Sequence, residues 1–180
     1  MYVRLYSFLS LSERHELLQQ TETLQGSFVS SITSTGAEDY RRSTVLYDTA
    51  AWRVLMEQKI RPLLFFIFDS LGLPSFEPEE FELQLTSHSE GGFYLWHTDN
   101  GTDNVKRRRL TFVYYFWNEP KSFAGGNLEI QTETGVEKIE PINNSIVFFD
   151  SGLLHQVTLV QATTERQSHL RMTLNGWLRD

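Results

Sequence analysis

The chain has 180 residues, 40% of them hydrophobic and 13% aromatic, enough for one packed domain and short for two. Its formal net charge of −7, with an isoelectric point near 5.2, argues against nucleic acid as a partner, because such binding calls for a basic footprint. The absence of cysteine excludes disulfides and thiolate metal sites.

The opening segment Met1–Leu9 has too short an apolar run for a signal peptide and leads straight into acidic helical sequence. No stretch approaches the roughly 20 apolar residues of a membrane span, so a cytoplasmic chain with no membrane partner is expected. Ser10 and Glu13 form a capping-box pattern, which predicts a helix to about Leu24 with a buried stripe of Leu11, Leu17, Leu18 and Leu24. Residues 26–47, rich in Ser and Thr, read as irregular. Asp48 can cap a second helix over roughly 49–71, where Trp52, Leu55, Met56, Ile60, Leu63, Leu64 and Ile67 recur at helical spacing. Pro62 should kink it, and Gly72 and Pro74 should end it.

From about Phe81 the period shortens to two. Phe81, Leu83 and Leu85 alternate with polar residues, and Gly91-Gly92 breaks the run before Phe93–His97. Further strands are predicted over 110–117, 128–131, 136–139, 146–149, 156–160 and 170–178, with turn signals between them. Short strands in this number fit a double-sheet jelly roll, or double-stranded β-helix. The expected class is mainly β (α+β), flanked by N-terminal helices that cover one sheet from outside. No repeat or linker interrupts the chain, so 1–180 reads as one domain, with 1–75 as helical support and 76–180 as the jelly-roll core. The run Lys106-Arg107-Arg108-Arg109 reads as a solvated loop just before a strand; attraction of an acidic substrate or partner is the second reading.

His97-Thr98-Asp99 ends one predicted strand, and residues two apart on a strand face the same side. His155 opens a later strand, and Arg171 and Thr173 alternate on the last one. Two imidazoles and a carboxylate form the facial triad that holds non-haem Fe(II) with positions open for a cosubstrate and O2. A lone His-x-Asp arises often by chance; its place at a strand end, ahead of His155 and Arg171, gives it weight. His88 reads as a turn residue, with a pocket donor as the second reading. His15 and His169 read as exposed.

These residues carry a resemblance. Tyr94-x-x-His97-x-Asp99, Arg109-Leu-Thr-Phe-Val-Tyr-Tyr115, Gly125-Gly126-Asn-Leu128, His155-Gln-Val157 and Arg171-Met-Thr-Leu-Asn-Gly-Trp177 stand in that order. Together, over about residues 80–180, they resemble the prolyl-4-hydroxylase-like branch of the 2-oxoglutarate/Fe(II) dioxygenases. The resemblance implies that His97, Asp99 and His155 bind iron, and that Arg171 anchors the distal carboxylate of 2-oxoglutarate. It implies a hydroxyl contact from Thr173, a pocket tyrosine at Tyr115, and a substrate entrance near Tyr94 and Trp177. The implied cofactor set is Fe(II), 2-oxoglutarate and O2, with ascorbate as an optional addition. Related halogenases lack the carboxylate ligand, so Asp99 implies hydroxylation over halogenation; demethylation or desaturation could use the same triad. The first reading of the substrate is a prolyl or other residue in a protein or peptide. The alternatives are a free amino acid or small metabolite of a biosynthetic pathway, and a non-catalytic metal-binding jelly roll. The sequence leaves oligomeric state open. Two features depart from the family pattern: Ser87 and His88 stand where many relatives carry a cosubstrate-binding tyrosine, and Gln161–His169 lengthens the gap before Arg171.

Overall fold

Strands do form from Glu80 onward, and their two faces have different tasks. A computed structural model of the chain describes residues 1–31, 40–101, 105–164, 166 and 169–180. In chain order the elements are β1 (Val3–Tyr6), α1 (Leu11–Thr23), β2 (Val29–Ser30), β3 (Arg41–Arg42), β4 (Thr44–Leu46), α2 (Ala50–Ile60) and α3 (Leu64–Leu71). There follow β5 (Glu80–His88), β6 (Phe93–His97), β7 (Arg108–Phe116), β8 (Phe123–Gly125), β9 (Leu128–Thr132) and β10 (Gly135–Ile139). The chain closes with β11 (Ser145–Asp150), β12 (His155–Val157), β13 (Val160–Ala162) and β14 (Arg171–Arg179).

The larger sheet has the order β1-β11-β7-β14-β5-β4-β2, and the smaller one β10-β9-β12-β6-β3, while β8 pairs with β13. The ladders are antiparallel, as in a jelly roll. Parity on the central strands divides the molecule. Phe81, Leu83 and Leu85 of β5, Phe112, Tyr114 and Phe116 of β7, and Met172, Leu174 and Leu178 of β14 join Leu17, Trp52, Met56, Ile60, Ile67 and Phe68 in one apolar core beneath the helices. The opposite parity of β7 and β11, Val113, Tyr115, Val147 and Phe149, packs with Leu128, Ile130 and Ile139 of the smaller sheet in a second core. On β5 and β14 that inward face is polar instead, and it becomes one wall of a cavity.

The helices follow their local signals closely. Ser10 Oγ accepts from the Glu13 backbone N–H, and the Glu13 carboxylate accepts from Ser10 N–H, which completes the capping box. A single 3-10 turn at Arg61–Leu63, containing Pro62, separates α2 from α3. Gly72 closes α3 in the left-handed region at φ 66°, where a side chain would be strained.

Several expectations need correction. Leu11 is 79% exposed; the buried face of α1 is Leu17, Leu18 and Thr21, with Leu24 packed at its margin. The stretch read as irregular contains β2, β3 and β4, and β1 was not anticipated. The residue at the N-cap of α2 is Thr49, not Asp48, and its hydroxyl donates to the Leu83 carbonyl at 2.9 Å instead of capping. The strand expected over 156–160 is two strands, β12 and β13. The basic run is not a free loop: Arg107 pairs with Glu79, Arg108 with Glu82, and Arg109 with Asp180, and Arg108 and Arg109 already belong to β7.

Candidate active site

His97 is the last residue of β6 and faces His155, the first of β12, as a cross-strand pair. Asp99 lies beyond the strand in a turn, so strand alternation is not what brings it to His97. Its backbone N–H donates to the Ser151 carbonyl at 2.9 Å, and this pins the turn under the two imidazoles. The nearest ligand atoms of the three residues lie within 4.8 Å of one another. Asp99 Oδ1 is 3.8 Å from His97 Nε2, and Asp99 Oδ2 is 3.5 Å from His155 Nε2.

Each imidazole is held by its other nitrogen. His97 Nδ1 meets the Leu95 carbonyl at 2.8 Å, and His155 Nδ1 meets the Leu153 carbonyl at 2.9 Å. A carbonyl can only accept, so both Nδ1 atoms carry the proton and both Nε2 lone pairs point at the shared site. Thr111 Oγ donates to Asp99 Oδ2 at 2.8 Å and lies 2.9 Å from Ser151 Oγ, which fixes the carboxylate's orientation. The Tyr94 ring stacks on His97 with centroids 3.5 Å apart, and Phe149 meets His155 edge-on. Burial, with His155 nearby, pushes His97 down to about 3, so it stands neutral as a metal ligand must. Burial pushes Asp99 up, but the two imidazoles outweigh it and hold the carboxyl below its ordinary value.

Arg171 enters the same cavity from β14 and is 1% exposed. Its Nε donates to the Gly126 carbonyl at 2.6 Å, and its Nη1 lies 3.3 Å from His88 Nδ1. Gly126 sits at φ 62°, and a Cβ there would run into the Arg171 side chain. Arg171 has no carboxylate partner among the described residues. Its guanidinium lies 5.3 Å from the Tyr115 ring centroid. Among the described residues, Thr173 Oγ1 and His88 Nε2 are buried without hydrogen-bond partners, and the Tyr115 hydroxyl has none but Arg171 itself. Burial, then the charge of Arg171, holds His88 well below the ordinary histidine range. A buried cation ringed by polar atoms without partners is costly unless an anion completes it. The dicarboxylate 2-oxoglutarate fits that socket, and the triad's two imidazoles and one carboxylate fit Fe(II).

Of the residues singled out from the sequence, His97, Asp99, His155, Arg171, Tyr115, Tyr94 and Trp177 line this one cavity, and Thr173 is buried on β14 opposite Tyr115. His88, expected in a turn, is a buried member of β5, directly opposite Arg171 on β14. Of the pair Ser87 and His88, only His88 lines the cavity. Thr111, Ser151 and Arg41 were missed. Thr111 could have been found, because it shares the parity of Tyr115 on β7.

The fold and site thus define a jelly roll with a His-Asp-His centre beside an anion socket. The family model of the 2OG-Fe(II) oxygenase superfamily matches residues 83–179, and the chain belongs to that superfamily. An uncharacterised PKHD-type hydroxylase of Synechocystis is 36% identical over 99% of this chain and 63% of its own length. A PKHD-type hydroxylase of Shewanella sp. (strain MR-7) is 32% identical over 57% of this chain and 47% of its own length. The chain therefore spans less than two thirds of either relative. Two solved structures share the fold over 99% of this chain. A Pseudomonas putida prolyl-4-hydroxylase has TM-score 0.70, 22% identity and 91% of its chain covered. A Trichoplax adhaerens prolyl hydroxylase, in complex with a hypoxia inducible factor peptide fragment, has TM-score 0.73, 21% identity and 83% covered. No helix among the described residues is long and apolar enough to cross a membrane.

Proposed function

We propose that the chain is an Fe(II)- and 2-oxoglutarate-dependent hydroxylase, acting on a prolyl or other residue of a protein or peptide. The observation that carries this reading is the unneutralised Arg171 guanidinium, with its ring of unpartnered polar atoms, in one cavity with the triad. His97, Asp99 and His155 would hold the iron, and Arg171, assisted by Thr173 and Tyr115, would hold the distal carboxylate of 2-oxoglutarate. Bound together, the metal and cosubstrate would supply activation of O2. Thr111 and Ser151 keep Asp99 aimed at the centre, and Leu128, Val113 and Val157 dry its surroundings. Asp99 fills the position that a halide would need, which favours hydroxylation. Tyr94, stacked on His97, and Trp177, under the Arg108 guanidinium, would stand at the entrance for the primary substrate. The peptide preference rests on analogy with the prolyl hydroxylases named above.

The test is an anaerobic load with Fe(II) and 2-oxoglutarate, then O2 in the presence of prolyl peptides or free amino acids. Succinate release coupled to the gain of one oxygen atom in a peptide is expected. Turnover of free amino acids alone would move the assignment to the small-molecule reading, and failure to bind 2-oxoglutarate at all would overturn it.

A second prediction concerns Gly126. Its replacement by alanine forces a side chain into left-handed backbone, which costs about 1–2 kcal/mol, and displaces Arg171. Calorimetry on the Mn(II)-loaded Gly126→Ala variant should show 2-oxoglutarate affinity weakened by roughly 10-fold or more, by 1.4 kcal/mol per decade. Unchanged affinity would mean that Arg171 does not depend on this carbonyl for its aim.

A further inference from the structure

A second guanidinium turns into the cavity from the smaller sheet. Arg41 lies on β3, directly opposite Tyr94 on β6. Its guanidinium carbon is 4.8 Å from the Tyr94 ring centroid, and the other face of that contact chain is His97, on which Tyr94 stacks. One aromatic ring therefore separates Arg41 from a ligand of the metal centre.

Arg41 has little to bind. Its Nε donates to Ser43 Oγ at 2.9 Å, and its Nη2 reaches Thr86 Oγ1 only at 3.5 Å. That Thr86 oxygen already accepts from Gln84 Nε2 at 2.8 Å and from Asn175 Nδ2 at 2.8 Å. A hydroxyl oxygen has two lone pairs, so it has no capacity left for a strong third donor. No carboxylate pairs with Arg41 among the described residues. Arg108, the other guanidinium near this end, is spent on Glu82. Arg41, Gln84 and Asn175 therefore bring donors together round Thr86, and among the described residues no carboxylate answers them.

Charge points the same way. The charges of Fe(II), 2-oxoglutarate, Asp99 and Arg171 cancel one another. Arg41 is then an extra positive charge in a partly buried site, and an arginine does not shed its proton in a protein. Its contacts are distinct from those of Arg171, which go to Gly126 and His88.

We propose that Arg41, with Gln84 and Asn175, forms a second anion site that binds a carboxylate of the primary substrate. The substrate class is then narrowed to carboxylate-bearing molecules, whether the group is the α-carboxylate of a free amino acid or an acidic side chain beside the oxidised residue of a peptide. This rests on the 2-oxoglutarate-dependent reading above. The planar fork of Arg41 meets the carboxylate, and the two amides share its remaining lone pairs.

The experiment uses the whole chain, loaded with Mn(II) and 2-oxoglutarate so that no turnover occurs. Calorimetry compares matched pairs: L-proline with L-prolinamide, and acetyl-Pro-Glu-amide with acetyl-Pro-Gln-amide. The carboxylate member of one pair should bind roughly 10-fold more tightly or better, the scale of one charge-assisted contact. Which pair shows the preference identifies the source of the carboxylate. In Arg41→Ala the preference should vanish, while 2-oxoglutarate affinity stays within about three-fold of wild type, since Arg171 is untouched. Equal binding of acid and amide, no binding of any acid, or a preference that survives Arg41→Ala would each overturn the proposal. So would a loss of 2-oxoglutarate affinity in Arg41→Ala, which would make Arg41 a cosubstrate residue. If wild type with Mn(II) fails to bind 2-oxoglutarate, the functional reading itself fails, and that result is separate from the acid–amide comparison.

Discussion

Anaerobic titration of the wild-type chain with Fe(II), or with Mn(II) as surrogate, is expected to saturate near one equivalent, and a His97→Ala/His155→Ala double variant is expected to lose that binding. Two of three converging ligand atoms go at once, leaving only Asp99 with its Thr111 and Ser151 contacts. Removing a group that merely orients a metal-bound imidazole costs ~10–100-fold in affinity; removing two imidazoles should exceed that range. His97 leans on Tyr94, outside the apolar cores, while His155 packs on the core residue Phe149. Should the double variant fold poorly, Asp99→Asn tests the same centre with an isosteric side chain and should also weaken metal binding. Undiminished stoichiometric binding in the double variant would remove the assignment of these residues.

The second large effect belongs to Arg171. A charge-assisted contact to a carboxylate is typically worth ~1.5–3 kcal/mol, so Arg171→Met should weaken 2-oxoglutarate binding by roughly 10–150-fold. Metal affinity should move far less, because Arg171 contacts Gly126, His88 and Tyr115 but none of the three ligands. A buried, unpaired charge is costly to keep, and Met fills much of the space of the arginine stem without one. The cosubstrate-free variant should therefore melt no lower than wild type. A variant that binds 2-oxoglutarate as wild type does, or one that loses metal and cosubstrate together, contradicts this role.

Much of this arrangement was legible in the sequence because it is local. The alternation along β5, β7 and β14 announces strands, and a capping box or a left-handed glycine announces a helix end. His-x-Asp followed by a second histidine and an arginine is a chemical inventory that needs no coordinates. What was missed depends on pairing across distance. β3 spans only Arg41–Arg42, too short to show a period, so nothing near it signals that Arg41 lies opposite Tyr94. β1 likewise exists by pairing with β11, far along the chain. His88 adjoins turn-forming residues and looked like one of them; only the ladder with β14 turns it inward. Asp99 reached its expected neighbours by an unexpected route, through a turn held by Ser151 rather than through strand parity.

The parity of β14 has a consequence for how such a protein can change. Met172, Leu174 and Leu178 face the helical core, while Arg171, Asn175 and Trp177 of the opposite parity, which Thr173 shares, line the cavity. Asn175, of that second set, lines the cavity and donates to Thr86 Oγ1. Natural variation at position 175 can therefore alter what the cavity accepts without disturbing the apolar interior one residue away on either side. A deletion or insertion of one residue in the same strand would exchange the two sets and destroy both at once. Substrate preference can drift by point substitution here, while the strand's length stays locked.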